Sequence, residues 1–190
     1  MGVQEFRDQG FLNSALVNYL ALLGWNSGTE QELFSPEELI HEFSINRVQK
    51  KGAVWDNQKL EWINQQTILR MENDDILVHI RNINSQWGEK QPKKTLLSII
   101  ELMKPRSKTI VELTDATDYF FHDPTEYDPK TMKKRWKNSD VNKLVNEYKK
   151  CLDTVDEWTV ENVEVVLRNL SDRKNINPAK LIHPVRLALS

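Results

Sequence analysis

Helical periodicity constrains this chain more than any other feature. Leu12, Leu16, Tyr19, Leu20 and Leu23 recur at three- and four-residue steps, which sets an apolar stripe along one side of a helix that Gly24 is placed to end. Ser35-Pro36-Glu37-Glu38 is a complete helix start, with Ser as N-cap, Pro in the first position and Glu three residues on to close a capping box. The short helix it opens is expected to bury Leu39, Ile40 and Phe43. Residues 57–68 predict a further helix with Leu60, Ile63 and Thr67 on one face. In the second half the spacing predicts helices over 74–84, 94–103, 110–120, 129–136, 141–152, 160–170 and 178–189, with Ser139 and Thr159 as caps. No run alternates with period two long enough to demand a sheet, and neither a strand–helix–strand rhythm nor a solenoid repeat is present. The expected architecture is all-α, with linkers at 82–92 and 121–128, the second carrying two Asp-Pro steps.

Composition narrows the function classes. A chain of 190 residues can bury a normal core as one domain or two small ones. Mean hydropathy is −0.60 and no apolar run approaches a membrane span. Residues 1–5 hold no apolar core of a signal peptide, and Phe6 stands where a myristoylation start would need Ser or Thr. The single Cys151 makes no internal disulfide, which fits a reducing compartment. A net charge of −2 argues by itself against a nucleic-acid partner. That average hides a division. Residues 1–89 carry 7 basic and 13 acidic residues, residues 90–150 carry 14 and 9, and residues 151–190 carry 5 and 6. A local excess of +5 in the middle is the electrostatic form of an RNA-binding surface, with a solvated helix face as the alternative.

No catalytic constellation can be assembled. His41, His79, His122 and His183 show no metal-ligand spacing, and the zinc-protease, nucleophile-elbow, P-loop and dinucleotide-binding motifs are all missing. Asp74-Asp75 sits where acidic residues favour a helix N-terminus. The residues read as a binding module with no catalytic and no metal-ligating residues.

Three blocks in order carry a resemblance. Asn18-Tyr19-Leu20-Ala21-Leu22-Leu23-Gly24-Trp25, preceded by Gly10-Phe11-Leu12-Asn13-Ser14-Ala15-Leu16, closely resembles the segment G-Y-L-P-E-A-L-x-N-Y-L-A-L-L-G-W of bacterial-type glutamyl-tRNA synthetases, with Asn13-Ser14 in place of Pro-Glu. Leu33-Phe34-Ser35, followed by Glu37-Glu38-Leu39-Ile40, is similar to the family's I-F-S-x-E-E-L-I. Arg47-Val48, Lys50-Lys51-Gly52-Ala53-Val54-Trp55-Asp56, Lys59-Leu60 and Trp62-Ile63-Asn64 resemble R-V-S-K-S-G-A-V-F-D-x-x-K-L-x-W-x-N. Weaker likeness continues at Glu101-Leu102-Met103-Lys104-Pro105-Arg106, at Tyr119-Phe120-Phe121 and at His183-Pro184-Val185-Arg186-Leu187-Ala188-Leu189, so it spans nearly the whole chain.

The resemblance implies a stem-contact helical region at 1–70, then an α-helical anticodon-binding bundle in two subdomains, 71–127 and 128–190. The H-I-G-H and K-M-S-K-S motifs are missing, as are the last helices expected after A-L-T-G, so the chain is expected to be a piece cut at both ends. Such a piece would bind tRNA without activity of its own. The parent implied is a glutamate–tRNA ligase, cytoplasmic and monomeric, whose missing catalytic domain uses ATP and Mg and whose partner is tRNA-Glu. The fragment itself would need no cofactor. Glutaminyl- and eukaryotic-type relatives carry β-barrel anticodon domains, for which this chain has no strand-rich half. The alternative is a stand-alone helical RNA-binding or protein-interaction module derived from such a domain.

Carried over position by position, Lys59 and Trp62 match residues facing the tRNA stem, Trp62 having a core aromatic as its alternative. Arg106 matches the reader of the third anticodon base, where Arg accompanies selectivity for tRNA-Glu over tRNA-Gln. A planar guanidinium suits an unstacked base edge, and Pro105 would expose it at a helix end. The alternative for Arg106 is a cation answering the helix dipole. Arg186 matches a second anticodon-reading arginine, next to a Pro184 expected to kink its helix. Lys133, Lys134, Arg135 and Lys137 match no motif. Their charge suits tRNA phosphates, and the interleaved Trp136 suits base stacking.

Overall fold

Caps and apolar spacing become helices in the computed structural model, which describes residues 2–50, 52–137 and 139–189. Lys51, part of the third resembling block, lies outside the described residues, as does the residue preceding Ser139. The helices among the described residues are α1 (Val3–Asp8), α2 (Asn13–Gly24), α3 (Pro36–Glu42), α4 (Asn57–Arg70), α5 (Asn73–Ile83), α6 (Lys93–Met103), α7 (Ile110–Asp115), α8 (Pro129–Arg135), α9 (Ser139–Leu152), α10 (Val160–Arg173) and α11 (Ala179–Leu189), with 3₁₀ turns at Ile45–Arg47, Lys104–Arg106 and Asp118–Phe120. Among those residues no strand forms, and β pairing is limited to one bridge between Trp25 and Val48. The chain divides into two compact units, residues 1–121 and 122–190.

In the first unit α2 packs on α4, and α5 on α6 and α7. Its core runs without interruption past residue 70, from Leu16 and Tyr19 through Ile63 and Ile68 to Ile80, Ile100 and Leu113. Each fully buried Ile or Leu there contributes about 1.5–3 kcal/mol. The capping box of α3 forms as its sequence dictates: Glu38 N–H donates to Ser35 Oγ at 3.1 Å and Ser35 N–H to the Glu38 carboxylate at 2.7 Å. In the second unit Tyr148, Leu170 and Leu181, one from each of α9, α10 and α11, make a smaller core. The Thr159 cap accepts from Asn162 N–H at 3.2 Å.

Four expectations are corrected. Leu20 is 47% exposed, because the buried arc of α2 holds Ala15, Leu16 and Tyr19 and admits the polar Asn18. Ile40 is 81% exposed and Phe43 52% exposed, so α3 buries only Leu39, while Phe43 lays its ring 5.7 Å from that of Trp25. The helix predicted over 110–120 ends at Asp115 and resumes as a 3₁₀ turn. Thr117 turns its hydroxyl onto the carbonyls of Leu113 and Thr114, at 3.0 and 2.8 Å, and accepts the Trp87 indole N–H at 2.8 Å. The stretch 82–92 separates no two units: it joins α5 to α6 inside the first one, exposed except at Gly88 and at Trp87, whose ring enters the core.

Candidate nucleic-acid interface

In the first unit the site is a turn. α6 passes directly into the 3₁₀ turn Lys104–Arg106, and α7 starts at Ile110 behind a Thr109 cap. Every residue of that turn except Arg106 is anchored. Lys104 Nζ donates to Asn73 Oδ1 and pairs with Glu101, each at 2.9 Å. The Pro105 carbonyl accepts from Gln65 Nε2 at 3.1 Å. The Ser107 hydroxyl donates to the Met103 carbonyl at 3.0 Å. Lys108 gives its N–H to Glu112 at 2.7 Å and its carbonyl to Asn64 Nδ2 at 2.6 Å, and pairs its ammonium with Glu61 at 2.5 Å. The hydrogen bond from Lys104 first, and that from Asn73, hold the Glu101 carboxyl below its ordinary 4.5. The hydrogen bond to Glu61 raises the Lys108 ammonium above its ordinary 10.5.

Arg106 is exposed, and no hydrogen bond or ion pair among the described residues engages its guanidinium. The turn is held on both sides while its central group, a planar fork of five donors, stays uncommitted. Pro105 does not cut the helix off abruptly; it occupies the middle of the 3₁₀ turn that continues α6.

Lys59 and Trp62 also meet in this unit. They lie three residues apart on α4, and the Lys59 ammonium sits 4.7 Å over the indole while it pairs with Glu32. Trp62 is 39% exposed, whereas Leu60, Ile63, Asn64 and Ile68 form the buried face of α4, so the core-aromatic alternative does not hold.

In the second unit α8 is capped by Asp128, whose carboxylate accepts from Thr131 N–H at 2.8 Å and from the Thr131 hydroxyl at 2.6 Å. Those bonds lower the Asp128 carboxyl below its ordinary 3.8. Lys134, Arg135 and Lys137 line an open cleft of about 600 Å³ together with Lys180 and His183 of α11, over an apolar floor that includes Val141, Leu144 and Pro184. Lys133 is exposed on α8 and is not among those lining residues. No hydrogen bond or ion pair among the described residues engages the side chains of Lys133, Lys134, Arg135 or Lys137. Trp136 is half-buried and donates its indole N–H to Asn142 of α9. Arg186 borders a second cleft of about 420 Å³ that shares Lys134, Arg135 and His183 with the first. α11 is helical on both sides of Pro184, so the proline is accommodated inside the helix.

Sequence reasoning missed Lys180 and His183, which nothing in local spacing ties to α8. It also gave no role to Asn18 and Asn64. Asn18 donates to the Glu32 carbonyl at 3.1 Å and accepts from Phe34 N–H at 2.9 Å, while Asn64 accepts from Leu12 N–H at 2.8 Å and donates to Lys108. The available signal was a polar amide inside an apolar stripe, as Asn64 stands one turn after Leu60. Among the described residues no group of three or more His, Cys, Asp or Glu side chains could hold a metal ion, and no helix is long and apolar enough to cross a membrane.

A family model described as anticodon binding domain matches residues 57–190, and one described as the catalytic domain of class I (E and Q) tRNA synthetases matches residues 1–62. A chain whose described residues form helices and no strand, with these matches, falls among the class I tRNA synthetase proteins that carry an anticodon-binding domain. It is 36% identical over 184 residues to the glutamate–tRNA ligase of Flavobacterium johnsoniae, covering 97% of this chain and 36% of that protein. It is 35% identical to glutamate–tRNA ligase 1 of Syntrophomonas wolfei, covering 100% of this chain and 39% of that protein. A crystal structure of a glutamate tRNA ligase from Elizabethkingia meningosepticum, in complex with its amino acid, superposes with a TM-score of 0.88 at 30% identity over 97% of this chain and 36% of that one. The chain therefore belongs to the glutamate–tRNA ligase family, and it spans less than two fifths of the length of these relatives.

Proposed function

We propose that this chain is the tRNA-recognition portion of a glutamate–tRNA ligase and binds tRNA-Glu, as a monomer in the cytoplasm. Arg106 would read the third anticodon base and Arg186 a further one. Lys59 and Trp62 would meet the stem, Lys133, Lys134, Arg135 and Lys137 the phosphates, and Trp136 a base. Glutamate transfer, with its ATP and Mg, would belong to a catalytic domain outside this chain, and the chain needs no cofactor for binding.

The observation that carries the reading is the anchored turn at 104–108 with an unengaged guanidinium at its centre. A solvated arginine merely answering a helix dipole does not need the carbonyls on both sides of it tied to another helix. The unengaged cations of α8 add the sequence-independent attraction that phosphate recognition requires.

Filter binding of the 190-residue chain to tRNA-Glu and tRNA-Gln tests this. Arg106→Gln is expected to lower the preference for tRNA-Glu by about tenfold, the scale of one lost base-edge interaction, with a smaller change in affinity for tRNA-Gln. Equal loss on both tRNAs would sink the base-reading role, and no tRNA binding by the unsubstituted chain would sink the function.

A further inference from the structure

One helix, α4, touches both of the places in the first unit that tRNA contact has been assigned to. Its first turns present Lys59 and Trp62. Its Glu61, Asn64 and Gln65, spaced i, i+3 and i+4 and therefore on one face, all reach the Arg106 turn. Two of the three bonds go to carbonyls that bracket Arg106 in sequence. Gln65 Nε2 holds the Pro105 carbonyl at 3.1 Å, and Asn64 Nδ2 holds the Lys108 carbonyl at 2.6 Å. Asn64 is fully buried, and its oxygen is committed to Leu12 N–H, so its amide has one orientation only. Glu61 closes the set by pairing with the Lys108 ammonium.

From this geometry we infer that Gln65, Asn64 and Glu61 are positioning residues for base recognition by Arg106, and that α4 is a strut joining the stem-contact pair to the base-reading turn. The inference rests on the reading of Arg106 proposed above and deepens it. The physical reason is the steepness of directional hydrogen bonds. A guanidinium distinguishes base edges only if its fork stays in the plane of the acceptors, so a turn free to rock by a few tenths of an ångström keeps its charge and loses its selectivity. The three side chains add no charge beyond the Glu61–Lys108 pair and present nothing themselves at the Arg106 fork. Their effect is on the ratio of affinities and not on affinity as such. A tRNA seated on Lys59 and Trp62 is thereby held in register with Arg106 through a single rigid helix.

The test is the ratio of dissociation constants for tRNA-Glu and for the same tRNA changed only at the third anticodon base, measured with the full chain. Gln65→Met keeps side-chain length and removes the donor; it is expected to reduce the ratio by about 3- to 10-fold, the scale of one directional hydrogen bond. The affinity for the altered tRNA and the midpoint of thermal unfolding should stay close to those of the unsubstituted chain. Glu61→Gln gives a second variant that does not disturb the core, with the same direction expected. In Arg106→Gln/Gln65→Met the ratio should fall no further than in Arg106→Gln alone, because Gln65 acts through Arg106. A Gln65→Met chain that keeps the full ratio while Arg106→Gln loses it, or a double variant whose losses multiply, overturns the positioning role and leaves base reading intact. A ratio unmoved by Arg106→Gln overturns both.

Discussion

Replacing Asn64 by Leu is the substitution that most directly probes how the first unit is fastened. The side chain is fully buried, and its two ends bond the Leu12 N–H, itself buried, and the Lys108 carbonyl. Leu keeps the branching and the number of side-chain heavy atoms but fills more volume, so overpacking adds to the cost and the two lost hydrogen bonds set its lower bound. Leaving a buried backbone group unpaired costs about 1–3 kcal/mol. The Leu12 N–H has no route to water and sits at the upper part of that range, whereas the carbonyl of the exposed Lys108 can be rehydrated and sits at the lower part. The sum is about 3–4 kcal/mol. A unit of 121 residues unfolds with an entropy of about 0.25 kcal/mol/K, so its thermal midpoint should drop by about 12–16 °C. Calorimetry of the unsubstituted and Asn64→Leu chains reads that shift, and amide hydrogen exchange at Leu12 reads the freed donor directly. A midpoint within about 2 °C of the unsubstituted chain, with Leu12 still protected, would refute the assignment of Asn64 as a fastening between α2, α4 and the Arg106 turn.

Gly10→Ala should destabilise the first unit by about 2 kcal/mol or more, because φ is +81° there and an added Cβ would lie 2.5 Å from the Val111 nitrogen; urea unfolding with an unchanged midpoint would contradict this. Asp128 has its pKa lowered in the folded chain, so its capping of α8 is complete above the ordinary value of 3.8 and is lost as pH falls through the lower folded value; protection of the Thr131 amide should fall away only below 3.8, and protection already lost above 3.8, or unchanged in Asp128→Ala, would count against the cap. Lys134→Ala should reduce the slope of log affinity for tRNA against log salt by about 0.7–0.9, the release of one phosphate counterion, and an unchanged slope removes Lys134 from the phosphate contacts.

Much of the fold is local and was therefore legible. The Ser35-Pro36-Glu37-Glu38 start and the Thr159 cap form as written, because a capping side chain reaches only three residues. The helix expected over 110–120 ends short of a Thr117 whose hydroxyl also accepts the indole of Trp87, thirty positions earlier, a partner that local spacing does not name. Ile40 and Leu20 misled because apolar spacing says that a helix has a greasy side and does not say how much of that side a neighbour covers.

The candidate interface divides along the same line. By itself the sequence determined the all-helical class, the basic middle segment and the membership-bearing blocks, including Arg106 itself, since these depend on residue identity and spacing. Only the tertiary structure decided that Arg106 stands alone in a turn held by Asn64, Gln65, Glu61 and Asn73, and that Lys180 and His183 join the cations of α8. The partners of that turn lie 31 to 47 positions away along the chain, and α8 and α11 meet across the whole of α9 and α10. Side chains so far apart in sequence become neighbours only when helices pack, and packing is chosen by the summed burial of many residues and not by any motif.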